Sequence, residues 1–351
     1  MNKIITTFFI LVAIALPTVV TFQPDPTSWD QLPKLAIPNG LGVNIHFRGE
    51  PRDLDLIAEA GFKFIRMDLT WSGIEQDKGV YDFGKLGYDA LTKGCTERNI
   101  RILYILDYSN KLYELDRSVR SEAGRKAFAD FAEAAAKRYA GKGILWEIWN
   151  EPNLKHFWSP QPSIEDYYRL VEKTAPRIKK ADHSGLIVAG ATSQIPLGWL
   201  EDCFKKGLLK WIDILSVHPY RSQPPETVVE EYAKLRELIK HYAPAAKKIP
   251  FISGEWGYSN INWDKSRLSE QDQAQYLLRM FLINYKIVKS KLRFESIRVI
   301  LSLGQTNNVG SQIRPVLHIK GYMQAIPTAV LLKCELEDFH KRFCIGRKRC
   351  S

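Results

Sequence analysis

The sequence predicts an α/β fold, a (β/α)8 TIM barrel with an atypical eighth-strand region, and three observations carry that reading. Short apolar strands alternate with amphipathic helical stretches. Eight strand candidates can be counted, with a helix between neighbours, and polar or aromatic residues recur where the strands end. A doubly wound nucleotide-binding fold would need a glycine-rich phosphate turn after the first strand, and Gly40-Leu-Gly-Val-Asn-Ile-His46 supplies none.

In chain order, the first strand is read at Gly40 to His46 and the first helix at Glu50 to Ala60. The strand Phe62 to Asp68 precedes the helix Leu86 to Arg98, and Ile100 to Leu106 precedes Ser121 to Tyr139. In that third helix Phe128, Phe131, Ala132, Ala135 and Ala136 line one face, while Lys126, Asp130, Glu133 and Lys137 line the other. The strands Gly143 to Trp149, Leu186 to Gly190 and Ile212 to Val217 alternate with helices at Ser163 to Lys180, Leu197 to Leu209 and Thr227 to Tyr242. Pro250 to Ser253 is the seventh strand and Ser269 to Lys289 the next helix, where Ser269 can accept an early backbone N–H. Ile297 to Leu303 completes the eight.

The 351 residues, 45% hydrophobic and 25% charged, contain no repeat, low-complexity tract or linker, so one catalytic domain of barrel size is expected over residues 39–345. Ahead of it, Lys3 precedes an apolar run from Ile4 to Leu16 that is short for a membrane span. Residues 1–20 are read as a secretory signal and residues 21–38 as a lead-in, with residues 346–351 a basic tail. The expected location is therefore periplasmic, extracellular or cell-surface, with membrane contact only if the N-terminal segment is retained. Five cysteines, Cys95, Cys203, Cys334, Cys344 and Cys350, form no zinc or redox pattern, and a Cys344–Cys350 bridge is left open.

The net charge of +11 favours an anionic partner such as an acidic polysaccharide or a membrane face, although it is equally compatible with solubility alone. Nucleic acid is not expected, because the basic residues are dispersed and no recognised binding motif occurs. No metal and no cofactor is assigned, since neither His46 nor His218 has carboxylate ligands at short spacing.

Residues at the C-terminal ends of different barrel strands share one cleft. That rule gathers His46, then Arg66, Asp68 and Trp71, then Asp107 and Tyr108, then Asn150 and Glu151, then His218 and Tyr220, and last Glu255 and Trp256. Glu151 and Glu255 each close an otherwise apolar strand beside an aromatic. Paired carboxylates ~5 Å apart are what retaining hydrolysis of a glycosidic bond requires. Trp146, Ile148, Trp149 and Pro152 give Glu151 a partly desolvated setting that suits a general acid. Glu255 is then the nucleophile, with Arg66 to neutralise it and Tyr220 to donate a hydrogen bond. Asn150 is placed to hold a sugar 2-hydroxyl, and His218 either to orient a carboxylate or to bind a hydroxyl. Of Trp71, Trp149, Trp158 and Trp256, one or two are expected to stack on sugar rings and the others to plug the barrel top.

These residues resemble the clan A glycoside hydrolases, and most closely the short, family 39-like bacterial glycosidases. Asn150-Glu151-Pro152 is similar to that clan's acid/base motif, and Gly254-Glu255-Trp256-Gly257-Tyr258 to its nucleophile segment. Ile65-Arg66-Met67-Asp68 with Trp71, and His218-Pro219-Tyr220, resemble its second- and sixth-strand signatures. The likeness runs from about Gly40 to Lys286 and implies retaining hydrolysis of a β-linked oligo- or polysaccharide. Around residues 287–320 it lapses: Ser296-Ile-Arg-Val-Ile-Leu-Ser-Leu-Gly-Gln-Thr-Asn-Asn308 lacks the aromatic strand end of the family. The leading expectation is an endo-acting enzyme on an extracellular or cell-wall polysaccharide. The alternatives are an exo-acting β-xylosidase-like glycosidase and an inactive carbohydrate-binding barrel.

Overall fold

Period-two alternation along the strands decides which side chains enter the barrel and which meet the surrounding helices. On β3 (Arg101–Asp107), Leu103 and Ile105 point inward, whereas Ile102, Tyr104 and Leu106 pack outward. The inward set from successive strands forms one apolar layer, with Phe64, Leu103, Ile105, Leu145, Val188, Ile214 and Ile252 in mutual contact. Above it, at the same parity, the inward residues turn polar: Asn44, Arg66, Glu147, Ser216 and His218, all buried. This polar layer lies directly under the barrel mouth.

The computed structural model describes residues 40–46, 50–258, 268–289 and 299–302, all within one unit spanning residues 36–326. The signal and lead-in segments, the basic tail, Cys334, Cys344 and Cys350 lie outside the described residues. The strands are β1 (Leu41–Asn44), β2 (Phe64–Thr70), β3, β4 (Leu145–Ile148), β5 (Leu186–Ser193), β6 (Ile214–His218), β7 (Phe251–Ser253) and β8 (Val299–Ser302). All neighbours pair in parallel and the order closes on itself, as a (β/α)8 barrel does. The eighth strand is unequal in its two seams. Against β1 it runs in register from Leu41↔Val299 to Asn44↔Ser302, but against β7 the pairing is Ser253↔Val299 alone.

The helices are α1 (Pro51–Glu59), α2 (Trp71–Ile74), α3 (Tyr88–Glu97), α4 (Glu122–Arg138), α5 (Ile164–Ala181), α6 (Leu197–Lys205), α7 (Leu208–Trp211), α8 (Val228–Tyr242) and α9 (Glu270–Lys289). The expected face of α4 is buried, and Ser121 caps it by accepting from the Gly124 N–H at 2.8 Å. Ser269 starts α9 in the same way, accepting from Asp272 N–H at 3.0 Å.

Two details differ from the sequence expectation. The single helix expected from Leu197 to Leu209 is broken into α6 and α7, because Gly207 adopts a left-handed φ of 96° and ends the first helical run. The turn of helix α2 follows β2 directly and was not expected; four residues give no periodicity to read.

Gly42 shows how closely the strands approach inside the barrel. A Cβ there would lie 2.5 Å from Phe64 Cβ and 2.6 Å from the Phe64 carbonyl oxygen, and a backbone oxygen in a registered ladder cannot rotate away. Gly42→Ala is expected to lower the unfolding free energy by about 1–3 kcal/mol, read as a reduced urea midpoint; an unchanged midpoint would show that the β1–β2 seam can open without cost.

Candidate active site

A guanidinium buried inside a barrel must be paired on several sides, and Arg66 is. From the inward face of β2 its Nε donates to Glu147 Oε2 at 2.7 Å. Its Nη1 donates to Glu255 Oε2 at 3.0 Å and to Asn44 Oδ1 at 3.2 Å. Its Nη2 donates to Asn150 Oδ1 at 2.8 Å and lies 3.3 Å from His218 Nε2. Burial works against the charge, but the carboxylates of Glu147 and Glu255 outweigh it and hold the Arg66 pKa above its ordinary value.

This arrangement fixes the orientation of His218, which has no solvent exposure. A guanidinium has only donors to offer, and His218 turns Nε2 toward it and Nδ1 away from it. Nδ1 then faces both glutamates: Glu151 Oε1 at 3.1 Å, within hydrogen-bond reach, and Glu255 Oε2 at 3.7 Å. Two oxygens that close to one nitrogen are no more than about 7 Å from each other, in the range of a shared catalytic pair.

Glu151 reaches this position through a sharp exit from β4. Trp149 and Glu151 both take left-handed backbone conformations, φ 70° and 47°, which non-glycine residues seldom adopt. The turn is held by Trp149 N–H donating to the Leu106 carbonyl at 3.1 Å and Glu151 N–H to that of Ala191 at 2.8 Å. Glu255, following β7, accepts from the Tyr220 hydroxyl at 2.8 Å as well as from Arg66, and its side chain keeps 25% of its surface exposed. Burial alone would raise its pKa; attraction to His218 and Arg66 and the Tyr220 hydrogen bond together bring it below the ordinary glutamate value.

Of the sequence-predicted site residues, the structure brings Glu151, Glu255, Asn150, Tyr108, Tyr220, His218 and Arg66 into one connected network. Asn150 Nδ2 donates to the Tyr108 hydroxyl at 2.9 Å while its Oδ1 is taken by Arg66, which leaves one amide N–H for a ligand. His46 is exposed with Nδ1 3.8 Å from Asp68 Oδ2, and that carboxylate raises the His46 pKa.

Several placements correct the expectation of direct sugar contact. Arg66 and His218 are buried beneath the cleft and act through the carboxylates. Asp107 is fully buried, and its pKa is pushed well above the carboxylate range by burial and by the Asp68 charge. Trp71 donates its indole N–H to Glu75 at 2.5 Å and packs among Tyr113, Phe128 and Phe131. Trp158 packs against Trp149 and Tyr167, and Trp256 against Phe281 and Tyr258. All three tryptophans are buried in the core, so none offers a face for stacking.

Two members of the network were not picked out from the sequence. Asn44 accepts from Arg66 and donates to the Gly254 carbonyl at 3.3 Å, tying β1 to the turn that carries Glu255. Glu147 is the carboxylate under Arg66, and its signal was present: one charged residue in the middle of the apolar run Leu145-Trp-Glu-Ile148. Among the described residues, no group of three or more His, Cys, Asp or Glu side chains is close enough together to hold a metal ion.

One carboxylate following β4 and another following β7, joined over a parallel barrel, define a clan A glycoside hydrolase. Residues 38–291 match the family model described as Cellulase (glycosyl hydrolase family 5), and the chain belongs to that family. Within the clan its homologues are family 39 β-xylosidase-like. The chain is 34% identical over 235 residues to a β-xylosidase from Caldicellulosiruptor saccharolyticus, covering 57% of this chain and 47% of that protein. It is 28% identical over 139 residues to a β-xylosidase from Geobacillus stearothermophilus, covering 34% of this chain and 27% of that protein. The chain thus spans less than half the length of either relative. Among solved structures, a family 39 glycoside hydrolase from the gut symbiont Bacteroides cellulosilyticus WH2 superposes with a TM-score of 0.64 at 21% identity, over 77% of this chain and 58% of that one. A family 39 β-xylosidase from Caulobacter crescentus gives 0.57 at 21% identity, over 74% and 62%. At these identities the superpositions speak for a shared fold.

Removing Glu147 would strand the Arg66 charge in the barrel interior. Glu147→Ala is expected to cost about 3–5 kcal/mol of stability, measured by denaturant titration. A loss below about 1 kcal/mol would mean that the other Arg66 partners suffice without it.

Proposed function

We propose that this chain is an exo-acting, β-xylosidase-like retaining glycosidase, and the observation that carries the reading is the convergence of Glu151 and Glu255 on the single Nδ1 of His218. Glu255 is the nucleophile: two donors, Arg66 and Tyr220, keep it ionised, and its open face is directed to the anomeric carbon. Glu151 gives its proton to the departing glycosidic oxygen as the Glu255 ester forms. It then takes a proton from the water that hydrolyses that ester, so the anomeric configuration is kept. Asn150 offers its free amide N–H to the sugar 2-hydroxyl.

The exo reading replaces the endo reading favoured from the sequence because the relatives just described are named β-xylosidases. The inactive-barrel alternative has less support, since both carboxylates and the groups that set their roles are in place. The substrate class is a β-linked oligosaccharide, and export, read from the Lys3 to Leu16 segment, is part of the proposal.

A 2-deoxy-2-fluoro-β-xyloside with a good leaving group is expected to add one glycosyl mass to Glu255, located by peptide mass spectrometry. Release of single sugars from the chain end should be seen by product sizing. Protein that turns over substrate without acquiring that label would overturn the retaining assignment, and internal cleavage products would overturn the exo one. Glu151→Ala is expected to slow substrates with poor leaving groups by roughly 10²–10⁴-fold and activated aryl glycosides far less.

The ionised Glu255 is the active form, and its pKa lies below the ordinary glutamate value, so the acid limb of kcat/KM should fall below the usual carboxylate range. The Tyr220 hydroxyl stabilises the charged form, so Tyr220→Phe must move that limb to higher pH. An acid limb that stays in place would assign it to another group.

A further inference from the structure

The loops after β3 and β4 carry a cation that the two-carboxylate chemistry does not use. Arg117 lies over the Tyr108 ring, its guanidinium carbon 3.9 Å from the ring centroid and 5.2 Å from that of Phe157. The two rings stack on each other at 5.7 Å. The Tyr108 hydroxyl, in turn, accepts from Asn150, the residue before Glu151. Arg117 is thus one aromatic ring away from the acid/base side of the site.

The position is held firmly. The Ser159 N–H donates to the Arg117 carbonyl at 3.1 Å, and the Ser118 hydroxyl donates to the Ser159 carbonyl at 2.7 Å, so the two loops are fastened together. Among the described residues Arg117 forms no ion pair; the buried Asp107 carboxyl feels its charge from a distance, and its one side-chain hydrogen-bond neighbour is the His156 imidazole, Nη1 to Nε2 at 3.3 Å. Two nearby acids are engaged elsewhere, and the exposed Asp116 beside Arg117 forms no ion pair with it among the described residues. Glu114 accepts from the Arg120 and Ser121 N–H groups and the Ser121 hydroxyl, and Asp166 pairs with Arg120 and Arg125. Exposed Lys111 and Lys155 on the same loops, also without ion pairs among the described residues, add to the positive field.

We infer that Arg117 is a specificity-determining residue that binds the carboxylate of an acidic sugar on the leaving-group side of the scissile bond. The inference rests on the proposed function for the meaning of "leaving-group side": the group that protonates the departing oxygen is Glu151, so what flanks Glu151 meets the departing sugar. A guanidinium stacked on an aromatic face directs its N–H groups outward in its own plane, and with Nη1 beside His156 the Nε and Nη2 donors are left to meet a planar carboxylate, the geometry in which arginine recognises anions. A uronic acid supplies that carboxylate; a neutral hexose or pentose leaves the charge unmatched.

The test compares two β-xylosyl disaccharides that differ only in the second sugar, glucuronate or glucose, in equilibrium binding by calorimetry and, separately, in turnover. The folded protein should bind the glucuronate disaccharide roughly tenfold more tightly at low salt. Arg117→Gln should abolish the difference and Arg117→Lys should keep part of it, with melting temperatures confirming that each variant is folded. Equal affinities in the unaltered protein, undetectable binding of the acidic disaccharide, or a preference that survives Arg117→Gln would each overturn the inference. Binding preference without hydrolysis of either disaccharide would count against the proposed activity and leave the anion site standing. Hydrolysis without preference would do the reverse.

Discussion

The site is organised by the need to bury one positive charge. A guanidinium in the barrel interior, with no water to share its five N–H donors, is tolerable only if protein acceptors surround it. Asn44, Glu147, Asn150, His218 and Glu255 do so, and they come from β1, β4, the turn after β4, β6 and the turn after β7. Each of these strands must be at its correct height and register for Arg66 to be satisfied. The same contact set that makes the charge tolerable therefore aligns the two carboxylates proposed as catalytic, and fold and site become one constraint.

That constraint also separates the two glutamates chemically. Glu255 receives a charged donor and a phenol, both of which favour the ionised form. Glu151 instead faces Nδ1 of His218, whose other nitrogen lies against Arg66. A symmetrical pair of carboxyls would leave their roles to chance. In the proposed mechanism the roles of nucleophile and acid follow from which groups the barrel interior presents to each, before any substrate arrives.

Much of this was legible in the sequence. Alternation of short apolar runs with helical periodicity located all eight strands, and the rule that strand ends share a cleft gathered Glu151, Glu255, Asn150, Tyr108, Tyr220 and His218. What the rule could not do was separate residues that face the ligand from residues that face each other. Trp71, Trp158 and Trp256 follow strands as ligand platforms would, but turns such as α2 direct them back into the core. Arg66 and His218 sit at the right height and point inward, so they serve the carboxylates. Glu147 was overlooked because attention to strand ends passes over mid-strand positions. Its parity with Leu145 gave it away, since an inward carboxylate on a buried strand demands an inward cation.

The nucleophile side and the acid side of the cleft consequently have different freedom to vary. Around Glu255, a change of side chain disturbs Arg66 and through it four other side chains on β1, β4, the turn after β4 and β6, so that half of the site is tied to the stability of the barrel. Around Glu151 the neighbours belong increasingly to the loops after β3 and β4, where Tyr108, Phe157 and Arg117 pack on one another and touch the interior network only through the Asn150 amide. Substitutions there leave the ion pairs of Arg66 with Glu147 and Glu255 intact. In the proposed mechanism, recognition of the departing sugar is therefore the property this architecture can alter most readily, whereas the covalent chemistry beneath it is tied to the pairing of Arg66.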